Sequence, residues 1–383
     1  MNRENTMNFP KEVEFFIVGG YVRDRILGLE GKDHDYVVVG ATPEMMLENG
    51  FTQVGADFPV FLHPITGDEF ALARTERSTG DGYHAFETIF DPTVRLYDDL
   101  IRRDLTINSM ARKVIGWNEE GHAQLSDEII DLFGGQADLH DRLIRHTSAA
   151  FKEDPVRILR AVRFASRYDF NIHYHTIDLM RMMVRAGDLD HVTPERIWTE
   201  FEKVLKQHNG SWRFLSEMND IGALKLFLPE VIAELSYVKV RLDEADMNEN
   251  SVAIKCAIIT SHVDHNIVED VWGRMKAPNE VKILADAVSA IQYACHLTKG
   301  MNAGQILSGL KFLEAFRNPD RMMDVICAMR GNDAQQGIEF WRAYKVTKDI
   351  GFADLTIEQQ TDLKGKEIGE AIDRLRLDRI QQL

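Results

Sequence analysis

The sequence predicts an α+β protein, with a mixed-sheet head at the N-terminus and an all-helical remainder. Three observations carry this. Over the first 140 residues, short apolar runs alternate with Gly, Pro and Asp turns. From about residue 148 the apolar residues recur at helical spacing, in PVRILRAVRFASRY, TIDLMRMMVRAG, TPERIWTEFEKVLKQ and GSWRFLSEMNDIGALKLF. No tandem repeat or low-complexity tract interrupts either part. A chain of 383 residues has room for two to three domains. The change of texture sets the first boundary near residue 140, giving a head over 12–140, a helical segment over 141–220 and a further helical part over 221–383.

In order along the head, FFIVGG, DYVVVG, VFLHP and EFALAR read as strands, and YVRDRILG and TPEMMLENG as helices. In the second helix Thr42 is placed to cap, Pro43 suits the first turn and Gly50 follows the end. TERSTGDGYHAFE, residues 75–87, follows neither period and reads as a mobile loop. No apolar run reaches bilayer length, and the N-terminal residues lack the basic-then-apolar order of a secretory signal, so a cytoplasmic protein with no membrane partner is expected. Cys256, Cys295 and Cys327 form no CxxC and read as buried free thiols of a reducing compartment. No obligate protein partner is evident. The net charge of −16 argues against polyanion binding over the whole surface, but phosphate contacts answer to local potential and a basic groove remains open.

Within that acidic chain, KDHDYVVVG sets Asp33 and Asp35 at the mouth of a strand. Residues two apart on a strand face the same way, so the carboxylates converge while His34 points away. A solvated acidic turn is one reading of a bare DxD. The other is a pair of hard ligands for Mg²⁺, which takes one or two carboxylates plus substrate phosphates. VGGYVRD favours the second, because Gly19 and Gly20 lie between a strand and a helix, where backbone N–H groups approach phosphate. Arg23, in that helix, offers a guanidinium to the same phosphates.

Further on, Arg157, Arg160, Arg163 and Arg167 recur every three or four residues. At helical pitch they stay within a sector of about 120°. Only Asp154 and Asp169 lie close enough in sequence to neutralise them, so the ridge reads as facing phosphate rather than as a solvated cationic face. Near the middle of the helical part, SHVDH groups His262, Asp264 and His265 without a His-Asp dipeptide, and reads as a polar loop rather than a metal site.

VGGYVRD, the DxD of KDHD, RRDLTIN, DLFGGQADL and EDPVRILRAVRFA occur in the order found in the class II tRNA nucleotidyltransferases, the family of CCA-adding enzymes and bacterial poly(A) polymerases. The chain resembles that family from about residue 16 to 205, and DFPVFLHP and ALARTER look more like its CCA-adding branch. The resemblance implies a polymerase-β-like nucleotidyltransferase head followed by all-α neck, body and tail domains. It implies two Mg²⁺ ions on Asp33 and Asp35, CTP and ATP as substrates, and tRNA gripped by the body and tail. Gly20 and Arg23 match the triphosphate-contacting turn. Arg103, Asp104 and Asn108 match the residues that contact the sugar and phosphates, where Arg supplies a bidentate fork and Asp or Asn can bond ribose hydroxyls; a helix cap is the other reading of Asp104. Asp131, Gly134 and Gly135 match the turn joining head to neck, read as a hinge. Glu69 is a candidate third carboxylate, with a surface acid as its plainer reading.

Arg160 and Arg163 match nucleotide-binding positions, and Asp154 and Arg157 match a base-reading pair. Cytosine and adenine each present an exocyclic amine beside a ring-nitrogen acceptor, where guanine and uracil present a carbonyl. A carboxylate and a guanidinium together therefore admit C and A and leave unpaired groups against G and U. Asp154 reads equally as a cap before Pro155. Poly(A) synthesis from ATP alone, a non-catalytic RNA-binding relative and a phosphohydrolase built on the SHVDH residues are the competing functions; the missing dipeptide speaks against the last. Within the family, residues 75–87 are a candidate for governing the switch from C to A.

Overall fold

The computed structural model describes residues 8–31, 33–54, 60–78, 86–298, 302–329 and 334–383. The chain divides into two compact units, residues 1–192 and 193–383.

The first unit runs β1 (Glu14–Val18), α1 (Gly20–Ile26), β2 (Asp35–Val39), α2 (Pro43–Glu48), β3 (Thr52–Val54), β4 (Val60–Leu62), β5 (Glu69–Leu72), β6 (Arg74–Ser78), β7 (Phe86–Phe90), α3 (Leu96–Ile101), β8 (Met110–Trp117), β9 (Ala123–Asp131), α4 (Gly135–His140), β10 (Leu143–Ile144), α5 (Val156–Tyr168), β11 (Asn171–Ile172) and α6 (Tyr174–Ala186). Seven strands form one sheet in the order β3-β4-β5-β2-β1-β8-β9. The β2–β5 pair is parallel and the other pairs are antiparallel, so the sheet is mixed as expected.

Strand alternation sorts the side chains onto two faces. Phe16, Val18, Val37 and Ala111 pack with Val94 and Leu100 on one of them. On the other, Tyr36 stacks on Phe70 at 4.3 Å, and Phe15, Phe51 and Trp117 close around Phe70 at 5.1–6.0 Å. Both faces are thus covered, and the strand ends remain as the open edge. Thr42 caps α2 by accepting from the Met45 N–H at 3.3 Å.

Two features depart from the sequence reading. Residues 75–78 and 86–87 are not loop but belong to the antiparallel pair β6–β7, while 79–85 lie outside the described residues. The β8–β9 pair went unread because β8 carries register shifts at Arg112/Val114 and Val114/Gly116 and β9 fully buries none of its residues, so neither alternates cleanly.

In the second unit the described residues are helical: α7 (Pro194–Leu205), α8 (Ser211–Asp220), α9 (Leu224–Phe227), α10 (Leu235–Met247), α11 (Val252–Ile259), α12 (His265–Arg274), α13 (Asn279–Thr298), α14 (Ala303–Phe312), α15 (Pro319–Ala328), α16 (Ala334–Thr347), α17 (Ile357–Asp362) and α18 (Lys366–Gln381), with short 3₁₀ turns between some of them. Ile197, Phe201, Val204 and Leu205 line the buried stripe of α7, and Phe201 meets Phe214 edge-on at 5.0 Å. Within this core Lys255 is 1% exposed and donates to Asp246 at 2.7 Å and to the Leu205 and Gln207 carbonyls at 2.8 and 2.7 Å. Asp246 in turn accepts from the Ser211 N–H and hydroxyl at 2.9 and 2.6 Å. Cys256 is buried and free, its thiol pushed well up by burial, and Cys327 is free and half-buried. Among the described residues no helix is long and apolar enough to cross a membrane.

Candidate active site

The β1–β2 register sets Ile17 opposite Tyr36, so the end of β1 meets the start of β2. Gly19 and Gly20, which follow β1, therefore share one sheet edge with Asp33 and Asp35. Asp35 shares its face with Val37, the face covered by Val94 and Leu100. His34 turns the other way, as expected, with Nδ1 3.6 Å from the Asp68 carboxylate and its ring 5.1 Å from Tyr21.

Asp33 and Asp35 are both exposed, and among the described residues neither side chain has a hydrogen bond or ion pair. The Asp35 carboxyl lies above its ordinary range: strand-end burial raises it, the Arg103 guanidinium pulls it back, and the Asp33 charge raises it further. Two neighbouring carboxylates that, among the described residues, bind no side-chain cation fit a divalent ion that takes two carboxylates and completes its shell from substrate. Among the described residues no three His, Cys, Asp or Glu side chains gather to hold a metal by themselves. Glu69 is exposed and is the in-register partner of Asp35 on the parallel strand β5, hence on the same face.

A raised carboxyl pKa contributes stability that is present below the ordinary value and lost as pH rises through the folded one. Asp35 is exposed, so solvent screens much of this effect; Asp35→Asn is expected to raise Tm only slightly, by about 1 °C, at neutral pH, with the gain shrinking as the pH is lowered. Thermal unfolding of both proteins across a pH series measures this; a lower Tm for the variant at neutral pH would contradict it.

The glycine turn is held from above. Gly19 has φ 69°, and a Cβ there would stand 3.1 Å from Arg103 Nη1, so both its backbone and its neighbour require glycine. Arg103 donates from Nε and Nη2 to Asp99 at 3.1 and 3.0 Å, which leaves its Nη1 edge directed at the turn. Asp99 is buried and also accepts from Arg102 Nη2 at 2.6 Å. Burial opposes its ionisation, but Arg103 and Arg102 outweigh that and hold the carboxyl below its ordinary range. Asp99 was missed in the sequence, although its i,i+3 and i,i+4 spacing to the two arginines was visible. Arg102 ties α3 to β6 through the Arg74 carbonyl at 3.2 Å.

Arg23 lies beneath the turn, 4% exposed, and donates from Nη1 to Asn108 Oδ1 at 2.6 Å and from Nε to Asp24 at 2.8 Å. Asn108 donates to Asp104 Oδ1 at 3.1 Å, and Asp104 Oδ2 accepts from Arg160 Nε and Nη2, each at 2.7 Å. Arg23, Asn108, Asp104 and Arg160 thus form one chain from α1 to α5. Asp104 is buried; that opposes its charge, and Arg160 with Asn108 more than compensates, lowering its pKa. It also accepts from the Leu105 N–H at 2.9 Å, but the 3₁₀ turn that follows carries no side-chain cap, so Asp104 is a hub rather than the cap of the other reading.

The arginine ridge is less open than its spacing implies. Arg157 and Arg163 are 8% and 6% exposed, and Arg157 Nη1 donates to the Ala150 carbonyl at 2.6 Å. The acid that neutralises the ridge is Asp104, from the far end of α3's loop, not only Asp154 and Asp169. Phe164 and Tyr168, stacked at 6.1 Å, run down the helix among the arginines, with Arg163, Arg23 and Arg160 at 4.2, 4.9 and 5.7 Å from the Phe164 ring and Arg167 at 5.1 Å from that of Tyr168. Aromatic faces of this kind let guanidiniums crowd together; the sequence reading counted the arginines and passed over the rings.

Asp154 opens α5, accepting from the Val156 N–H at 3.2 Å, so its capping role is present. Asp131 accepts from the Gly135 and Gln136 N–H groups, both at 2.8 Å, and a Cβ on Gly135 would collide with the Thr106 carbonyl. That turn fixes α4 against the segment carrying Asn108. In the second unit Asp264 caps α12 through the Asn266 N–H at 3.0 Å, and His265 packs against Tyr293 at 5.5 Å.

The model of the poly A polymerase head domain matches residues 15–145, and that of the probable RNA and SrmB-binding site of polymerase A matches residues 169–235. A CCA-adding enzyme of Coxiella burnetii is 37% identical over 372 residues, covering 97% of this chain and 96% of that protein. A solved CCA-adding enzyme in complex with ATP aligns with TM-score 0.67 at 21% identity, covering 96% of this chain and 86% of that one. The Thermotoga maritima CCA-adding enzyme complexed with tRNA aligns with TM-score 0.64 at 20% identity, over 97% and 88% of the two chains. At these identities the two structures speak for the fold.

Proposed function

The chain belongs to the class II tRNA nucleotidyltransferases, most like the CCA-adding enzymes, and from that membership we propose that it adds C, C and A to tRNA 3′ ends from CTP and ATP, releasing pyrophosphate. The single observation that carries the chemistry is the exposed Asp33/Asp35 pair on the sheet edge shared with the Gly19–Gly20 turn and Arg103.

In this reading the tRNA 3′-hydroxyl attacks the α-phosphorus in line with the departing pyrophosphate. Asp33 and Asp35 would hold Mg²⁺, which would supply activation of the attacking oxygen and neutralisation of the leaving one. The chain's own residues position the rest. Arg103, oriented by Asp99, presents its free edge to the phosphates, and the glycine turn lets backbone approach them. Arg23 supports the triphosphate from beneath the turn. Asp104 and Asn108 shape the sugar pocket while holding Arg160 in place.

At the start of α5, Asp154 accepts from the exocyclic amine of C or A and Arg157 donates to the neighbouring ring nitrogen, so the protein serves as its own template. Arg160 and Arg163 extend that cationic surface along the nucleotide. The head over 12–140 and the neck over 141–220 then carry chemistry and selection, and residues 221–383 grip the tRNA. The family match to a probable RNA-binding site over 169–235 straddles the second boundary, with most of it in the neck, so the neck shares in the RNA contact of this reading. A tRNA substrate fits a cytoplasmic location.

The decisive test supplies tRNA lacking its last three nucleotides with labelled CTP, ATP, GTP and UTP, singly and together. Two C additions followed by one A, with a stop at three, are expected. A long A tail from ATP alone would instead make the enzyme a poly(A) polymerase, and no incorporation at all would leave only an RNA-binding relative.

A further inference from the structure

We propose that Tyr168, acting through Asp24, is a positioning residue for nucleotide binding that fixes the Arg23 guanidinium. This rests on the reading above that Arg23 supports the triphosphate.

The geometry is specific. Asp24 Oδ1 accepts from Arg23 Nε and Nη2, each at 2.8 Å, and the same oxygen accepts from the Tyr168 hydroxyl at 2.8 Å. The Tyr168 ring itself lies 5.2 Å from the Arg23 guanidinium, beside Phe164 at 4.9 Å. Arg23 is therefore fixed on three sides: by Asn108 at Nη1, by Asp24 at Nε and Nη2, and by an aromatic ledge against its face. Without Tyr168 the Asp24 carboxylate has no partner on α5, and the side chain that sets the Arg23 fork is free to turn.

The hydroxyl is suited to this. Burial pushes its pKa up to about 12, although Arg23 and Arg167 pull against that, so it remains a neutral donor through the working pH range. Asp24, when ionised, is acceptor-only and cannot exchange roles with it. Tyr168 also lies on the helix that opens with Asp154 and Arg157, so hydroxyl, carboxylate and guanidinium link the helix proposed to read the base with the group proposed to hold the phosphates. CTP and ATP share the triphosphate and differ in the base. A role through Arg23 must therefore affect both nucleotides alike.

The test is steady-state addition with Tyr168→Phe, using CTP on tRNA lacking CCA and ATP on tRNA ending in CC. Loss of one hydrogen bond to a charged group is expected to raise KM for both nucleotides by about three- to tenfold and by the same factor, with kcat within about twofold. Asp24→Asn should move both KM values in the same direction. Adding Tyr168→Phe to Arg23→Ala should raise KM no further, because the hydroxyl acts through the guanidinium.

Unchanged KM values in Tyr168→Phe overturn the proposal. So does a change confined to one nucleotide, which would put Tyr168 at the base, or a lowered Tm with kcat and KM impaired together, which would make it structural only. If Arg23→Ala itself leaves both KM values unchanged, the assignment of Arg23 to the triphosphate fails, which distinguishes that failure from this one.

Discussion

Asp35→Ala is expected to abolish nucleotide incorporation while leaving tRNA binding intact. The carboxylate sits at the sheet edge with no internal side-chain partner among the described residues, so its removal disturbs no hydrogen bond of the fold. What it removes is half of the anionic pair proposed to recruit the metal. Metal stabilisation of developing charge contributes several kcal/mol, so the rate should fall by about a thousandfold or more. Single-turnover incorporation of labelled CTP, run beside filter binding of tRNA, measures both quantities. A variant that loses binding in proportion to activity would show that Asp35 serves RNA affinity instead.

Lys255→Met is expected to destabilise the second unit by about 3–5 kcal/mol. Lys255 and Asp246 are both buried, and among the described residues their charges are satisfied by each other, by Ser211 and by the two carbonyls at the end of α7. Methionine preserves much of the volume but leaves a buried carboxylate without its cation and two carbonyls without a donor. Adding Asp246→Leu should recover part of the loss, because an apolar pair does not carry the desolvation cost of one orphaned charge. Urea titration of the three variants checks both statements; a single-variant loss below about 1 kcal/mol would mean that water reaches Asp246 and replaces the lysine.

The sequence disclosed what depends on short range. The Thr42 cap, the strands that lead into Gly19 and out of Asp35, and the amphipathic stripe of α7 all follow from residues within a few positions of one another. The outward turn of His34 was legible from strand alternation alone.

Legibility ended where partners come from afar. The arginines of α5 looked unpaired because Asp104, which holds Arg160, lies 56 residues away in the chain. Arg23 looked free to reach outward because Asn108, 85 residues on, was needed to see that it is anchored inward. The β6–β7 pair was hidden for a different reason. β6, Arg-Thr-Glu-Arg-Ser, has no apolar alternation to announce it, and its cross-strand hydrogen bonds to β7 leave no mark on composition. Asp99 is the intermediate case: its spacing to Arg102 and Arg103 was readable, but only its burial reveals that the pairing orients a guanidinium over the turn.

The chain of contacts from Arg23 through Asn108 and Asp104 to Arg160 bears on how such enzymes are recombined. A chimaera spliced at residue 140 would inherit Arg23, Asn108 and Asp104 from one parent and Arg160 from the other, and any mismatch would strand a buried carboxylate at the seam. Moving the crossover to the end of the first unit, at residue 192, keeps both parties to that bond in the same parent's hands.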